Sequence, residues 1–269
     1  MVGETLRPVL LDPRDLTLHE VPQPTRLAAL LETLAVTRVL ERPVLVTGGP
    51  GGPGALLVLD GVHRTSALLH LGITRVVARH LPRDHAGDPG SWTHVLTDRR
   101  PDAGVLERLS GSEDVTMVPG TGQETTGQGT RRAPGAAAVV AELVLHRAGG
   151  AGPRAAQPET TRVEAARSGP EGLLAAYHAV AEAYRELAYR RTAEPTDPAP
   201  GELQVRWRAP TLRTVELLAR DHGPLPAGIT RFSRAGGLAR CPVTLEELAG
   251  AVDPAARASL WERVLRDAG

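Results

Sequence analysis

The chain contains no lysine, so its 31 basic residues other than histidine are all arginines. This absence excludes three kinds of site that depend on a lysine ammonium: the phosphate-binding P-loop, the protein-kinase fold and Schiff-base catalysis. A phosphate group bound by this protein must instead contact arginine, histidine, backbone amides or a metal ion.

Cysteine is almost as scarce, because Cys241 is the single cysteine of the 269 residues. One cysteine excludes an internal disulfide framework and is typical of a reducing cytoplasm, where we expect the protein to lie. The surrounding segment, LARCPVTLEEL, predicts a small buried side chain rather than a nucleophile. The sequence also lacks an apolar run of about 18 residues, and its N-terminal segment has no apolar region typical of a signal peptide, so we expect no membrane partner.

An excess of charge of either sign is absent as well. The 31 acidic residues balance the 31 arginines, and the formal net charge is zero. A neutral chain gives no electrostatic reason to expect a nucleic-acid partner. The length is sufficient for one large domain or two small ones.

Strand and helix patterns alternate over the first 84 residues. Apolar runs predict strands at RPVLLDP, RPVLVTGG, ALLVLDG and RVVARHL, and an amphipathic pattern predicts a helix at PTRLAALLETLA. A second helix is expected to begin near Val62 and to end at Gly72. Such alternation favours an α+β fold, with a nucleotide-binding domain over residues 1–84 and a second mixed α/β lobe over residues 85–269.

Beyond Trp92 the patterns are weaker. Low-complexity sequence predicts a flexible surface loop near residues 110–135, and AEPTDPAPG predicts a proline-rich linker near residues 193–201. The segment EGLLAAYHAVAEAYRELAYRR predicts one helix over residues 171–191, with its tyrosines in the core. Further helices are expected at LRTVELLARD and PAARASLWERVLRDA, and a short strand is expected around ITRFS.

The segment DGVHR, residues 60–64, combines an acid, a glycine, a histidine and an arginine where the second helix begins. Helix N-termini attract anions, an arginine adds a bidentate donor, and a glycine lets the backbone approach a ligand closely. The alternative is a surface helix that is capped by Asp60, with Arg64 in solvent. His63 has its own alternative as a helix-capping imidazole.

Five motifs occur in a fixed order: HE at residues 19–20, PVLVT at 43–47, DGVHR at 60–64, SWTH at 91–94 and PAGITRF at 226–232. Over residues 7–95 and about 203–250 they resemble the free L-serine kinases of the ParB/sulfiredoxin fold. That family includes a kinase of the staphyloferrin B siderophore cluster and an archaeal ADP-dependent enzyme. Sulfiredoxin chemistry is excluded because Val62 stands where sulfiredoxins carry cysteine, and no helix-turn-helix typical of ParB follows.

The resemblance implies phosphorylation of free L-serine to O-phospho-L-serine, with ATP (or ADP) as donor and Mg²⁺, for specialised metabolism such as the supply of a siderophore or diaminopropionate precursor. It implies Glu20 as the catalytic base and Asp60 as a second essential acid, which could bind Mg²⁺ on the phosphates, orient the substrate or share proton transfer with Glu20. The nucleotide would be held by Gly61, Val62, His63, Arg64 and Thr65. The acceptor amino acid would be held by Trp92, Thr230 and Arg231.

Several alternatives remain at this stage. A free L-threonine kinase differs only in accepting one methyl group, which is worth about 1–3 kcal/mol. A nucleotide- or haem-sensing ParB-like DNA-binding regulator and a catalytically inactive binding module belong to other functional classes. Glu20 could be a solvated loop acid and Trp92 a core residue, and the sequence leaves the oligomeric state open.

Overall fold

The computed structural model describes residues 8–48, 56–97, 101–120, 137–146, 158–232 and 240–267. The helices in these ranges are α1 Pro24–Thr37, α2 Val62–His70, α3 Arg83–Ala86, α4 Pro101–Ser110, α5 Gly169–Ala183, α6 Leu212–Asp221, α7 Leu245–Gly250 and α8 Pro254–Asp267, with a 3₁₀ turn at Pro13–Asp15. The strands are β1 Pro8–Leu11, β2 Leu16–Leu18, β3 Val39–Leu40, β4 Val44–Gly48, β5 Leu56–Asp60, β6 Val76–Leu81, β7 Gly90–Ser91, β8 Thr93–Leu96, β9 Val115–Pro119, β10 Val139–Leu145, β11 Glu159–Ala165, β12 Tyr189–Thr192, β13 Leu203–Trp207, β14 Thr230–Arg231 and β15 Val243–Thr244.

The chain divides into two compact units. The first contains Met1–Pro89, Thr211–Ala227 and Phe232–Gly269, and the second contains Gly90–Pro210 and Gly228–Arg231. The sequence predicted a division into residues 1–84 and 85–269. The first break lies close to that position, but two later segments pack with the first unit because their helices cover its sheet and core.

The first unit is built on a mixed five-stranded sheet with the order β1-β6-β4-β5-β2. β2 runs parallel to β5, and β4 runs parallel to β6, while the β1–β6 and β4–β5 pairs are antiparallel. The central strands are buried on both faces, which is why they read as continuous apolar runs. The strands predicted at RPVLLDP, RPVLVTGG, ALLVLDG and RVVARHL are confirmed, as are the helices that became α1 and α2.

The second unit is built on an antiparallel six-stranded sheet with the order β12-β8-β13-β10-β11-β9. Helix α5 packs on this sheet. Tyr177 on the helix and Tyr184 directly after it are buried, as expected of core tyrosines, whereas Tyr189 is half-buried. The proline-rich segment 193–201 has neither helix nor strand and joins β12 to β13 of the same sheet. It therefore connects two strands of one unit.

Two predictions for the second unit are wrong in part. The helix predicted over residues 171–191 ends at Ala183, and Tyr189–Thr192 instead forms β12, which pairs with β8. Tyr184 leaves the helical conformation (φ −131°, ψ 20°), because its buried hydroxyl bonds to His94 and the following residues pair with a strand. Within the loop predicted near residues 110–135, Val115–Pro119 forms β9 and pairs with β11, while residues 121–136 lie outside the described ranges.

The sequence predicted that Cys241 is buried and that the chain has no apolar run long enough to cross a membrane. Cys241 is 2% exposed in the core of the first unit, which confirms a buried side chain. Among the described residues, no helix combines the length and the apolar character that crossing a bilayer would require.

Helix α1 offers a test of the first core. Leu34 is 1% exposed and belongs to the apolar cluster of the first unit, whereas Val36 on the same helix is 84% exposed. We expect Leu34→Ala to lower the free energy of unfolding by about 2–5 kcal/mol, because a fully buried leucine is removed. Val36→Ala is the matched control and should change it by less than about 0.5 kcal/mol. Urea-induced unfolding followed by circular dichroism measures both; equal effects would contradict this packing.

Candidate active site

Two acidic residues reach the same edge of the first sheet from distant parts of the chain. Strands β2 and β5 are parallel and pair Leu18 with Val58. Glu20 follows Leu18 by two residues, and Asp60 follows Val58 by two residues. Because neighbouring strands lie about 4.7–4.9 Å apart, both carboxylates leave the sheet at one edge. An irregularity in the β4–β5 pairing next to Asp60 is typical of positions where a sheet re-aims a functional side chain.

Glu20 is held from both sides by backbone contacts. The Leu225 amide donates to the carbonyl of His19, and the Val21 amide donates to the carbonyl of Leu225, each over 2.8 Å. The Glu20 side chain is only 12% exposed, and the N-cap position of α1 belongs to Gln23. Glu20 is therefore neither a solvated loop acid nor the residue at the start of the helix.

His19 is a residue of this site that sequence reasoning missed, although it is the first residue of the HE motif. Its Nδ1 lies 2.5 Å from the carbonyl oxygen of Val58, so Nδ1 carries the hydrogen and donates. Its Nε2 lies 3.9 Å from Oε1 of Glu20, and its ring meets Phe232 edge-on at 5.4 Å. The imidazole thus connects β5 with the carboxylate of Glu20.

Gly61 forms the turn between β5 and α2. Its φ of +104° is in the left-handed region, and a Cβ there would lie 2.7 Å from Cγ1 of Val44 and 2.9 Å from Nη2 of Arg64. α2 begins at Val62, as predicted, and Gly72 follows its end with φ +69°. Only glycine fits this turn without moving its neighbours.

Arg64 and Thr65 lie at the start of α2 and have buried side-chain donors. Arg64 Nη2 donates to Oδ2 of Asp60 over 2.9 Å, and the arginine side chain is 19% exposed. Among the described residues, Arg64 Nε and Thr65 Oγ1 are buried without a hydrogen-bond partner. Unpaired buried donors are costly, and next to a helix N-terminus they favour binding of an anion. The alternative with Asp60 as cap and Arg64 in solvent is wrong, since no side chain caps α2.

His63 joins the first turn of α2 to the segment that follows Glu20. Its Nε2 accepts a hydrogen bond from the backbone amide of Gln23 over 3.0 Å. This contact leaves Nδ1 as the ring's N–H donor in the neutral form. Val62 lies in the apolar core at 8% exposure.

The residues of this site fit a magnesium ion only if the nucleotide and water supply most of its ligands. Within the described ranges, no cluster of three or more histidine, cysteine or acidic side chains could hold a metal. Asp60 supplies one carboxylate, 38% exposed. Mg²⁺ that is bound mainly through phosphate oxygens and water needs one or two carboxylates, so Asp60 fits an ion that arrives with a nucleotide.

The residues expected to bind the acceptor lie together in the second unit. β14 pairs with β7, placing Thr230 opposite Ser91, and the Trp92 amide donates to the carbonyl of Ile229 over 3.1 Å. The guanidinium carbon of Arg231 lies 5.7 Å from the centroid of the Trp92 ring. Trp92 is half-buried and Thr230 is 6% exposed, so the tryptophan is not a fully enclosed core residue.

Comparison with known proteins identifies relatives of this chain. A 73-residue stretch is 40% identical to an ATP-dependent L-serine kinase of Staphylothermus marinus; it covers 27% of this chain and 29% of that protein. SbnI from Staphylococcus aureus, solved with a C-terminal truncation, is 20% identical over 97% of this chain and 96% of its own, with a TM-score of 0.73. A free serine kinase solved in complex with AMP is 18% identical over 91% of this chain and 95% of its own, with a TM-score of 0.64.

These relatives confirm the resemblance drawn from the motifs. The two solved structures share the fold of this chain over almost its whole length. The curated relative matches across less than a third of its own length. No family model matches the chain.

The turn at Gly61 gives a test of the site's geometry. We expect Gly61→Ala to abolish or strongly weaken the ATP binding that the resemblance implies, because a Cβ at this position forces Val44 or Arg64 to move. Gly48→Ala is the matched control, since a Cβ at Gly48 has nothing within 4 Å. Calorimetric titration of ATP, with a melting curve for each variant, separates lost binding from lost folding. Wild-type affinity for ATP in Gly61→Ala would contradict a role of this turn in binding the nucleotide.

Proposed function

We propose that this protein is a small-molecule kinase that transfers the γ-phosphoryl group of ATP to the hydroxyl of free L-serine. One observation carries the proposal: Glu20, whose neighbours on both sides bond to the Leu225 backbone, lies at the same sheet edge as the N-terminus of α2. Buried donors of Arg64 and Thr65 at that helix have no hydrogen-bond partner among the described residues and suit an anion. The sequence similarity to an ATP-dependent L-serine kinase supports the same reaction. So does the fold shared with a free serine kinase in complex with AMP.

We propose that the phosphoryl donor, ATP, binds at the N-terminus of α2. Arg64 keeps Nη2 on Asp60 and has a buried Nε that can bond to a phosphate oxygen. Thr65 adds a hydroxyl, and Gly61 lets the backbone come close to the phosphates. We propose that these groups neutralise the charge on the transferred phosphoryl group, a task that in a chain without lysine falls to arginine.

Glu20 would act on the acceptor, L-serine, as the base. In the proposed reaction the serine hydroxyl gives its proton to the Glu20 carboxylate, and the serine oxygen forms a bond to the γ-phosphorus. The bond between that phosphorus and the bridging oxygen of the β-phosphate breaks, and ADP leaves with the electron pair. A positioned carboxylate of this kind contributes about 10²–10⁴-fold to the rate.

The proposal also covers the magnesium ion, the residues that bind the acceptor, the fold of the first unit and the use of the product. Mg²⁺ bound with the nucleotide would supply charge neutralisation at the β- and γ-oxygens, and Asp60 would be its protein ligand. Trp92, Thr230 and Arg231 would hold the carboxylate end of the acceptor, for which Arg231 offers a buried Nε without a partner among the described residues. We also propose that the first unit belongs to the ParB/sulfiredoxin fold and that O-phospho-L-serine feeds specialised metabolism of the siderophore type.

The proposal is tested by incubating the protein with Mg²⁺, ATP or ADP, and each of the twenty amino acids in turn. We expect O-phospho-L-serine, detected by mass spectrometry, with ATP as the preferred donor. Glu20→Gln should lower kcat by about 10²–10⁴-fold while nucleotide affinity stays the same, since proton transfer and nucleotide binding use different groups. O-phosphothreonine as the main product would identify a threonine kinase, and the absence of any phosphoamino acid would overturn the proposal. Wild-type turnover by Glu20→Gln would remove Glu20 as the base.

Arg64 provides a second, independent test. We expect Arg64→Ala to raise the Kd for ATP about 10–100-fold, because a charge-assisted contact is worth about 1.5–3 kcal/mol. Arg64→Lys should restore part of the affinity, since an ammonium cannot reproduce the planar fork. Arg240→Ala is the control, because it removes an arginine whose side chain is 74% exposed and pairs with Glu41. If calorimetry shows unchanged affinity in Arg64→Ala while its melting temperature falls, Arg64 is structural and does not bind phosphate.

A further inference from the structure

His94 lies in β8 of the second unit and is 1% exposed. Both of its ring nitrogens make hydrogen bonds. Nε2 lies 2.9 Å from the carbonyl oxygen of Gly228, while Nδ1 lies 2.7 Å from the hydroxyl oxygen of Tyr184 and 3.3 Å from Nε1 of Trp207. The imidazole therefore connects four separate segments of the second unit.

These contacts determine the protonation of the ring. A carbonyl oxygen can only accept, so Nε2 carries a hydrogen, and an indole N–H can only donate, so Nδ1 accepts. Burial raises the pKa of Tyr184 well above its ordinary value, so its hydroxyl stays protonated and is also available as a donor to Nδ1. His94 is thus neutral, with its hydrogen on Nε2.

Aromatic packing determines the direction in which this hydrogen points. The ring of His94 stacks on Tyr189 with 4.2 Å between centroids and 17° between planes. Tyr184 and Trp207 contact it edge-on, at 5.8 Å and 6.1 Å. The imidazole cannot turn without breaking these contacts, so its N–H remains directed at Gly228.

The segment that receives this hydrogen bond is tightly confined. Gly228 has φ +81°, and a Cβ there would lie 2.5 Å from the guanidinium carbon of Arg191. The backbone of Gly228 is therefore in contact with both His94 and Arg191. From this anchored residue the chain runs directly into β14, Thr230–Arg231, beside Trp92.

We propose that His94 is a positioning residue that holds the Gly228–Arg231 backbone so that Thr230 and Arg231 bind the carboxylate of the acceptor amino acid. The inference rests on the proposed function, which identifies that acceptor. It assigns a specific role to the histidine of the SWTH motif, which the sequence analysis had not placed among the site residues.

Two substitutions separate this role from simple core packing. Glutamine can place an N–H group near the position of Nε2 and so keep the donor to Gly228, whereas asparagine reaches only the position of Nδ1. We expect His94→Asn to raise the KM for L-serine about 5–30-fold, with kcat and the Kd for ATP little changed. His94→Gln should stay near the wild-type KM. His178→Asn, an exposed histidine on α5, is the matched control and should have no effect.

Three results would overturn the proposal: an unchanged KM in His94→Asn, an equal KM rise in both variants, or a lower melting temperature with every kinetic constant preserved. If His94→Asn does not fold, Gly228→Ala displaces the same segment from the side of Arg191 and should give the same rise in KM. An unchanged KM there would also overturn the proposal.

Nitrogen-15 NMR of the uniformly labelled wild-type protein and of His94→Asn separates this inference from the proposed function, because it needs no turnover. We expect His94 to be neutral with its hydrogen on Nε2, and the amide signals of residues 228–231 to shift in His94→Asn. If that pattern appears but no amino acid is phosphorylated, the proposed function fails and the anchoring stands. Hydrogen on Nδ1 would overturn the inference whatever the activity.

Discussion

The parallel pairing of β2 with β5 is the constraint on which the candidate site depends. It brings the ends of two strands to one edge of the sheet, so that Glu20 and Asp60 emerge together. Antiparallel pairing of the same strands would have placed these carboxylates at opposite edges. The Leu225 backbone then closes the other side of β2, leaving the Glu20 side chain largely shielded from water. Shielding of this kind strengthens electrostatic interactions with charge that develops during a reaction.

The mouth of α2 follows from the same pairing. β5 ends at Asp60, Gly61 takes a left-handed conformation, and the helix begins at the next residue. In this short turn Arg64 can reach back one helical turn to Asp60 while its Nε remains buried near the helix N-terminus. A guanidinium can serve two partners at once because its donors form a rigid fork. In a chain without lysine, this property is the basis of any phosphate recognition at the helix.

Three histidines each form a hydrogen bond between a ring nitrogen and a backbone group of a segment distant in sequence. His19 donates to the carbonyl of Val58, His63 accepts from the amide of Gln23, and His94 is directed at the carbonyl of Gly228. In each case a backbone group settles which ring nitrogen carries the hydrogen, and the imidazole restrains a segment next to a candidate site residue. Neutral imidazoles suit this role, since one ring nitrogen donates and the other accepts. The histidines of the sequence motifs therefore support the geometry of neighbouring residues.

The sequence by itself determined the local elements that contain the site. Periodicity and glycine stops were sufficient for α1, for the strand that ends at Asp60, and for the helix from Val62 to the stop at Gly72, because these signals depend only on nearby residues. Ordered motifs indicated Glu20 and the DGVHR segment as one site. Long-range pairing decided the rest: that β2 lies beside β5, that residues 189–192 form a strand rather than the end of α5, and that residues 211–227 and 232–269 return to the first unit. The roles of His19 and His94 also came only from the tertiary structure, because their partners at Val58 and Gly228 are distant in sequence and no local pattern encodes a contact with a remote backbone carbonyl.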